Sequence, residues 1–200
     1  MAEEADTHPH DSSQVYLIYS EKAHPKVDRF TYKDFINELR GQNIDKWCRE
    51  HIWPKSHGDF GTRQGPGTDS HHLRAVGRSE NSRKNNKNLR DVDGPCTTDV
   101  YSYEPPLSAK GDVSRATFYM AVMWEMEVDN EGGRDDQARV GYLDSLLEWH
   151  DLDPVDPYEI RRNQIIYQKI NYNRNPFIDH QELVQYVFGS KQHLKWYGRE

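Results

Sequence analysis

The side chains able to do chemistry fall in three short stretches. They are Glu50-His51 within Arg49 to Gly58, His71-His72 after Asp69-Ser70, and Asn81 within Asn81-Ser82-Arg83-Lys84-Asn85-Asn86. A neutral imidazole titrates near 6.5 and is suited to take a proton from water at physiological pH, which points to His51 as a general base. A carboxylate and a carboxamide offer oxygen ligands to a hard cation, and the Arg and Lys side chains around Asn81 offer contacts to phosphate. These are the parts of a metal-dependent phosphodiesterase. His51, His57, His71 and His72 also permit a zinc site, a weaker reading because helical His-x-x-x-His and paired-cysteine spacings are absent.

Placing these groups requires two strands and a helix. Trp47 to Trp53 reads as a strand stopped by Pro54, which cannot donate to a sheet ladder. Successive strand residues point to opposite faces, so Glu50 and His51 reach one pocket only through a bend or bulge at the strand end. Gly58 to Thr68 is a loop by its turn chemistry, Ser70 to Val76 a returning strand, and Asn81 to Asn88 a short helix. One residue of the His71-His72 pair faces inward; His71 is the expected orienting residue, with His72 beside it.

Before this unit, residues 1–13 read as a disordered leader, Val15 to Tyr19 as a strand, and 31–40 as a helix capped by Thr31. After it, Asp112 is expected to cap a helix with Ala116, Tyr119, Met123 and Met126 on one face. A second helix spans Asp136 to Trp149, and a third runs from Asp156-Pro157 to Ile170. A last one covers Glu182 to Phe188. The expectation is an α+β fold, a single domain over 14–200 with the ββα unit at about 46–90 and a helical part at about 111–190.

Two hundred residues suffice for one hydrophobic core, and 12% aromatic content compensates for only 34% hydrophobic content. No apolar run is long enough to cross a bilayer, and Met1 to Asp11 shows no signal-peptide pattern, so no membrane partner is expected. Cys48 and Cys96 are the only cysteines, open to one disulfide or two thiols. The net charge of −7 argues against a polyanionic partner only as an average. From Arg74 to Arg90, six cationic side chains stand against Glu80 alone, and local field decides where phosphate goes. Arg74, Arg78, Lys84, Lys87 and Arg90 are therefore the expected nucleic-acid contacts.

The order of these segments resembles the endonuclease I family of secreted and periplasmic nucleases, built on the ββα-metal (His-Me) finger. The likeness continues at Gly111 to Met120, Trp149-His150, Asp153 to Asp156, Arg161-Arg162-Asn163 and Asn173 to His180. It implies that Glu50 and Asn81 ligate one divalent ion, normally Mg²⁺, with Mn²⁺ or Ca²⁺ able to take the place. It further implies a monomeric, largely sequence-nonspecific endonuclease acting on DNA, with RNA a second substrate, through the phosphate backbone and leaving 5′-phosphate ends. Arg63 and Arg83 are the candidates for the scissile phosphate. The chain departs from the family where Lys84 replaces an Arg and Glu80 a Val. These changes motivate the competing reading, a nucleic-acid-binding protein with a decayed site.

Overall fold

The computed structural model describes residues 2–41, 45–93 and 98–198. The elements in chain order are α1 (Ala2–Ala5), β1 (Thr7–His8), β2 (Asp11–Tyr16), β3 (Ala23–Pro25), α2 (Tyr32–Leu39), β4 (Trp47–His51), β5 (Leu73–Gly77), α3 (Arg78–Lys84), β6 (Asn88–Leu89) and β7 (Ser102–Tyr103). These are followed by α4 (Leu107–Met123), β8 (Glu127–Asp129), β9 (Arg139–Gly141), α5 (Leu143–Leu152), α6 (Pro157–Lys169), α7 (Pro176–Asp179) and α8 (Leu183–Val187). Small two- and three-stranded sheets surround a helical body, an α+β architecture as expected.

The caps account for the helices that the sequence located well. Thr31 and Asp34 form a reciprocal capping box at α2, and the Asp156 carboxylate accepts from the Glu159 amide ahead of Pro157 at α6. Elsewhere local signals misled. The α4 helix starts five residues before Asp112, whose carboxylate is buried against Arg74 instead of capping. The expected helix from Asp136 is first a strand, because Val140 is buried in the parallel β8–β9 pair, and helix begins only at Leu143.

The leader is the largest correction. Residues 2–13, expected to be disordered, form α1, β1 and the start of β2. Asp6 is fully buried: Oδ1 accepts from Arg162 Nε at 2.5 Å, Oδ2 from the Ala75 amide at 2.6 Å, and Arg74 Nε lies 3.5 Å away. A run that is polar in sequence is thus ordered and anchored through Asp6, whose charge meets two buried guanidiniums.

The main core gathers Trp53, Phe118, Met120, Leu146, Trp149 and Phe177, with Phe118 and Phe188 stacked at 4.5 Å. Ile52 and Trp53 are fully buried in it, so the chain leaves β4 directly into packed interior and His51 is held at its edge. Cys96 lies outside the described residues, and with it the question of a disulfide.

Replacing Asp6 with Ala is expected to destabilise the fold by about 3–5 kcal/mol, since it leaves buried cations without their partner. Urea unfolding measures this; a midpoint equal to that of the parent would refute it.

Candidate active site

The site is the β4–β5–α3 unit. β4 and β5 pair antiparallel with unbroken register, Glu50 opposite Arg74 and His51 opposite Leu73. Of the expected bend or bulge it is the bend that occurs: β4 ends at His51, and the chain bends at Ile52 and Trp53. α3 follows β5 without a linker, and its first amide, from Arg78, donates to Lys46 O at 2.8 Å. The helix therefore lies across β4.

Strand and helix periods then select the contacts. Cys48 and Glu50 share one face of β4, and Asn81 and Lys84, three apart, share one face of α3. The two faces meet. Asn81 Nδ2 donates to Cys48 Sγ at 3.0 Å, and Lys84 Nζ lies 2.7 Å from Glu50 Oε1 and 3.2 Å from His51 O. Asn81 is interior to α3, so it is not a helix cap. On the other face of β4, His51 Nε2 lies 3.0 Å from Gly67 O, and its ring meets that of His72 edge-on at 5.4 Å. Glu50, His51 and Asn81 all line one cavity of about 760 Å³ that wraps the strand end.

A carbonyl only accepts, so the hydrogen on the His51 ring sits on Nε2 and Nδ1 is the basic nitrogen. Burial pushes the His51 imidazole down to about 4, with Lys55, Arg49 and Lys84 adding to the shift against the Gly67 hydrogen bond. The ring is thus neutral near pH 7. Burial raises the Glu50 carboxyl, and the Lys84 ammonium opposes that shift.

The other expected residues divide. His72 is the histidine beside His51; its Nε2 is 2.8 Å from Pro66 O, and its carbonyl accepts from the Ile52 amide at 3.0 Å. Of the pair, His72 and not the expected His71 is the ring that adjoins His51. His71 instead faces Tyr119 at 4.3 Å between ring centres, and its Nε2 is 3.2 Å from Asn173 Oδ1. Arg74, expected on a phosphate-binding surface, is 3% exposed and paired with Asp112 at 3.0 Å. Lys84 is fully buried at the site itself. Arg78 lines the cavity, paired with Glu38 at 2.8 Å. Arg63 and Arg83 are exposed and absent from the cavity lining, and Arg83 lies 3.4 Å from Glu80 on the outer side of α3. Lys87 reaches Thr98 Oγ1 at 2.6 Å, and Arg90 lies 3.6 Å from Asp99.

Three cations on the cavity wall were not singled out from sequence: Arg29, Arg49 and Lys55. Period two could have found Arg49, which shares a strand face with His51. Arg29 comes from before α2, and only tertiary packing brings it there.

The donor set suits a hard cation. Glu50 Oε1 is buried and makes only the ion-pair contact with Lys84, without hydrogen-bond geometry. The Asn81 amide nitrogen is committed to Cys48, which leaves Oδ1 as the free donor atom. One carboxylate and one amide oxygen fit Mg²⁺, which keeps most of its waters. Among the described residues no three His, Cys, Asp or Glu side chains come together as a metal-holding group, so the zinc reading gains no support.

The chain belongs to the endonuclease I family, whose profile, described as Endonuclease I, matches residues 1–182. It is 41% identical over 195 residues to an extracellular ribonuclease of Bacillus subtilis (strain 168). It is 39% identical over 192 residues to an extracellular ribonuclease of Bacillus amyloliquefaciens. Each match covers 90% of this chain and 63% of the relative, so the chain spans slightly less than two thirds of their length.

Burial also lowers His71 to about 4 and His72 well below its ordinary value. Unfolded histidines take up protons below about 6.5 while these stay neutral in the fold, so stability is present above that pH and is lost as pH falls toward 4. His71 alone should cost about 2 kcal/mol between pH 7 and 5. Urea unfolding at both pH values checks this, and in His71→Asn the drop should shrink by about that amount.

Proposed function

We propose that this chain is a metal-dependent, largely sequence-nonspecific endonuclease that hydrolyses phosphodiester bonds of RNA and DNA and leaves 5′-phosphate ends. One observation carries the reading: a neutral His51, with Nε2 committed to Gly67 O and Nδ1 left as the basic nitrogen, lines the cavity it shares with Glu50 and Asn81. His51 Nδ1 takes the proton from the attacking water. The Gly67 carbonyl holds the tautomer, and the edge of His72 limits ring rotation. Glu50 and Asn81 hold the cation, Mg²⁺ with Mn²⁺ or Ca²⁺ as substitutes, which when bound stabilises negative charge on the leaving 3′ oxygen.

Arg49, on the His51 face of β4, is the best-placed guanidinium for the phosphate that is cleaved. Arg63 on the adjoining loop and Arg83 on α3 are farther candidates. Backbone contacts dominate, because no element among the described residues resembles a base-reading helix, and the proposed site draws on one chain, in keeping with a monomer. RNA comes forward from the names of the two relatives, as does export from the cell. No helix among the described residues is long and apolar enough to cross a membrane.

The decayed-binder reading draws on the Lys84–Glu50 ion pair, which places an ammonium on a proposed ligand oxygen. The same ammonium opposes the upward shift that burial gives the Glu50 carboxyl and so favours the anion a cation site needs; the pair does not favour loss of activity.

Degradation of RNA and plasmid DNA should require Mg²⁺ and stop with chelator. His51→Ala should lower kcat about 10²–10⁴-fold with little change in stability. Glu50→Gln and Asn81→Ala should raise the Mg²⁺ concentration needed for half-maximal rate. Cleavage that survives chelator, or that His51→Ala leaves intact, would refute the mechanism.

A further inference from the structure

Two smaller hollows continue the catalytic cavity around the molecule. Asn86 lines both the cavity and a hollow of about 210 Å³, and that hollow shares Asn88, Tyr101 and Arg134 with a third of about 500 Å³ that ends at Tyr142. The three form one groove leading away from His51.

Aromatic rings and cations alternate along it. Tyr101 is 78% exposed, yet its backbone is fixed: its amide donates to Asp99 Oδ1 at 2.7 Å, and its carbonyl accepts from the Asn88 amide at 2.9 Å. Tyr142 lines the far end, with the Arg90 guanidinium over its ring at 5.0 Å. The acids of the groove are committed to protein donors. Asp135 accepts from Asn86 at 2.8 Å, Asp99 lies against Arg90 and two amides, and Glu131 pairs with Arg139 at 3.1 Å. Among the described residues, Lys87 and Arg134 have no carboxylate partner. The lining cations Lys87, Arg90 and Arg134 balance the lining acids Asp99, Glu131 and Asp135 in formal charge, and the two cations without a carboxylate partner, Lys87 and Arg134, line the same hollow as Tyr101.

We propose that this groove binds a single-stranded stretch of the nucleic-acid substrate, with a base stacked on Tyr101 and flanking phosphates held by Lys87 and Arg134. An exposed ring on a hydrogen-bonded backbone, with cations beside it, suits unpaired bases, whose faces are open; in a duplex those faces are covered by stacking. The proposal rests on the nuclease reading for the identity of the polymer and adds to it a preference for unpaired strand.

The test is fluorescence anisotropy in chelator, where no turnover occurs, with a labelled single-stranded oligoribonucleotide and with the same strand annealed to its complement. The parent should bind the single strand more tightly. Tyr101→Ala should weaken that binding about 10-fold and duplex binding less than about 2-fold, while Tyr101→Phe restores it. Arg134→Ala should reduce the salt slope by about one, and Tyr101→Ala should leave the slope unchanged. Circular dichroism melting verifies that the variants are folded. Absence of binding by the parent, equal losses on both probes, or a Tyr101→Ala variant that binds as the parent does would overturn the groove. A parent that shows these binding effects but cleaves nothing with Mg²⁺ would leave the groove standing and sink the nuclease reading; a cleaving parent with an indifferent Tyr101 would do the reverse.

Discussion

The guanidinium of Arg162 is the point on which the rest of the structure hangs. Held in α6 and 3% exposed, it donates to the carbonyls of Ser70 at 2.7 Å and Leu73 at 2.5 Å while its Nε binds Asp6. These contacts set the path of the backbone into β5, and so the placement of His71 and His72. They also bring the N-terminal residues against the nuclease unit. An arginine can do this because its five donors lie in one rigid plane, and because a buried cation without partners would cost several kcal/mol. The neighbouring Asn163 extends the clamp, its Nδ2 donating to Asn175 O at 3.2 Å and its Oδ1 accepting from the Asn175 amide at 2.9 Å.

From that anchor the reactive groups follow by geometry. β5 fixes β4 through an unbroken ladder, and α3 lies back across β4 because it starts directly from β5. A strand has two faces, and both are used at its end. Glu50 turns to the helix and its lysine, while His51 turns to the loop carbonyl of Gly67. That loop approaches closely because Gly67 has no side chain; a Cβ there would fall 1.7 Å from Gly61 O. The proposed base and the proposed cation ligands thus occupy one cavity while resting on different supports.

Legibility from sequence tracked the range of the interactions involved. Thr31 with Asp34, and Asp156 with Pro157, located α2 and α6 because a cap is satisfied within four residues. Glu50, His51 and Asn81 were legible as a set because residue type, order and spacing carry chemistry before any folding. Periodicity failed at Asp136 to Tyr142, where apolar spacing suited a helix but parallel pairing with β8 claimed the segment. It also failed at Asp112, which has the type of a cap and the position of a buried ion-pair partner.

The sequence by itself determined the class of chemistry, the α+β character and the residues able to act as base and cation ligands, because these depend on side-chain type and near spacing. Only the tertiary structure decided that the polar N-terminal run is anchored by a buried Asp6, that Arg74 and Lys84 are buried countercharges, and that His72 rather than His71 adjoins His51. It likewise decided that Arg29, Arg49 and Lys55 border the cavity. Burial and long-range pairing set each of these outcomes, and a charged residue reads the same in sequence whether it meets water, phosphate or a partner distant in the chain.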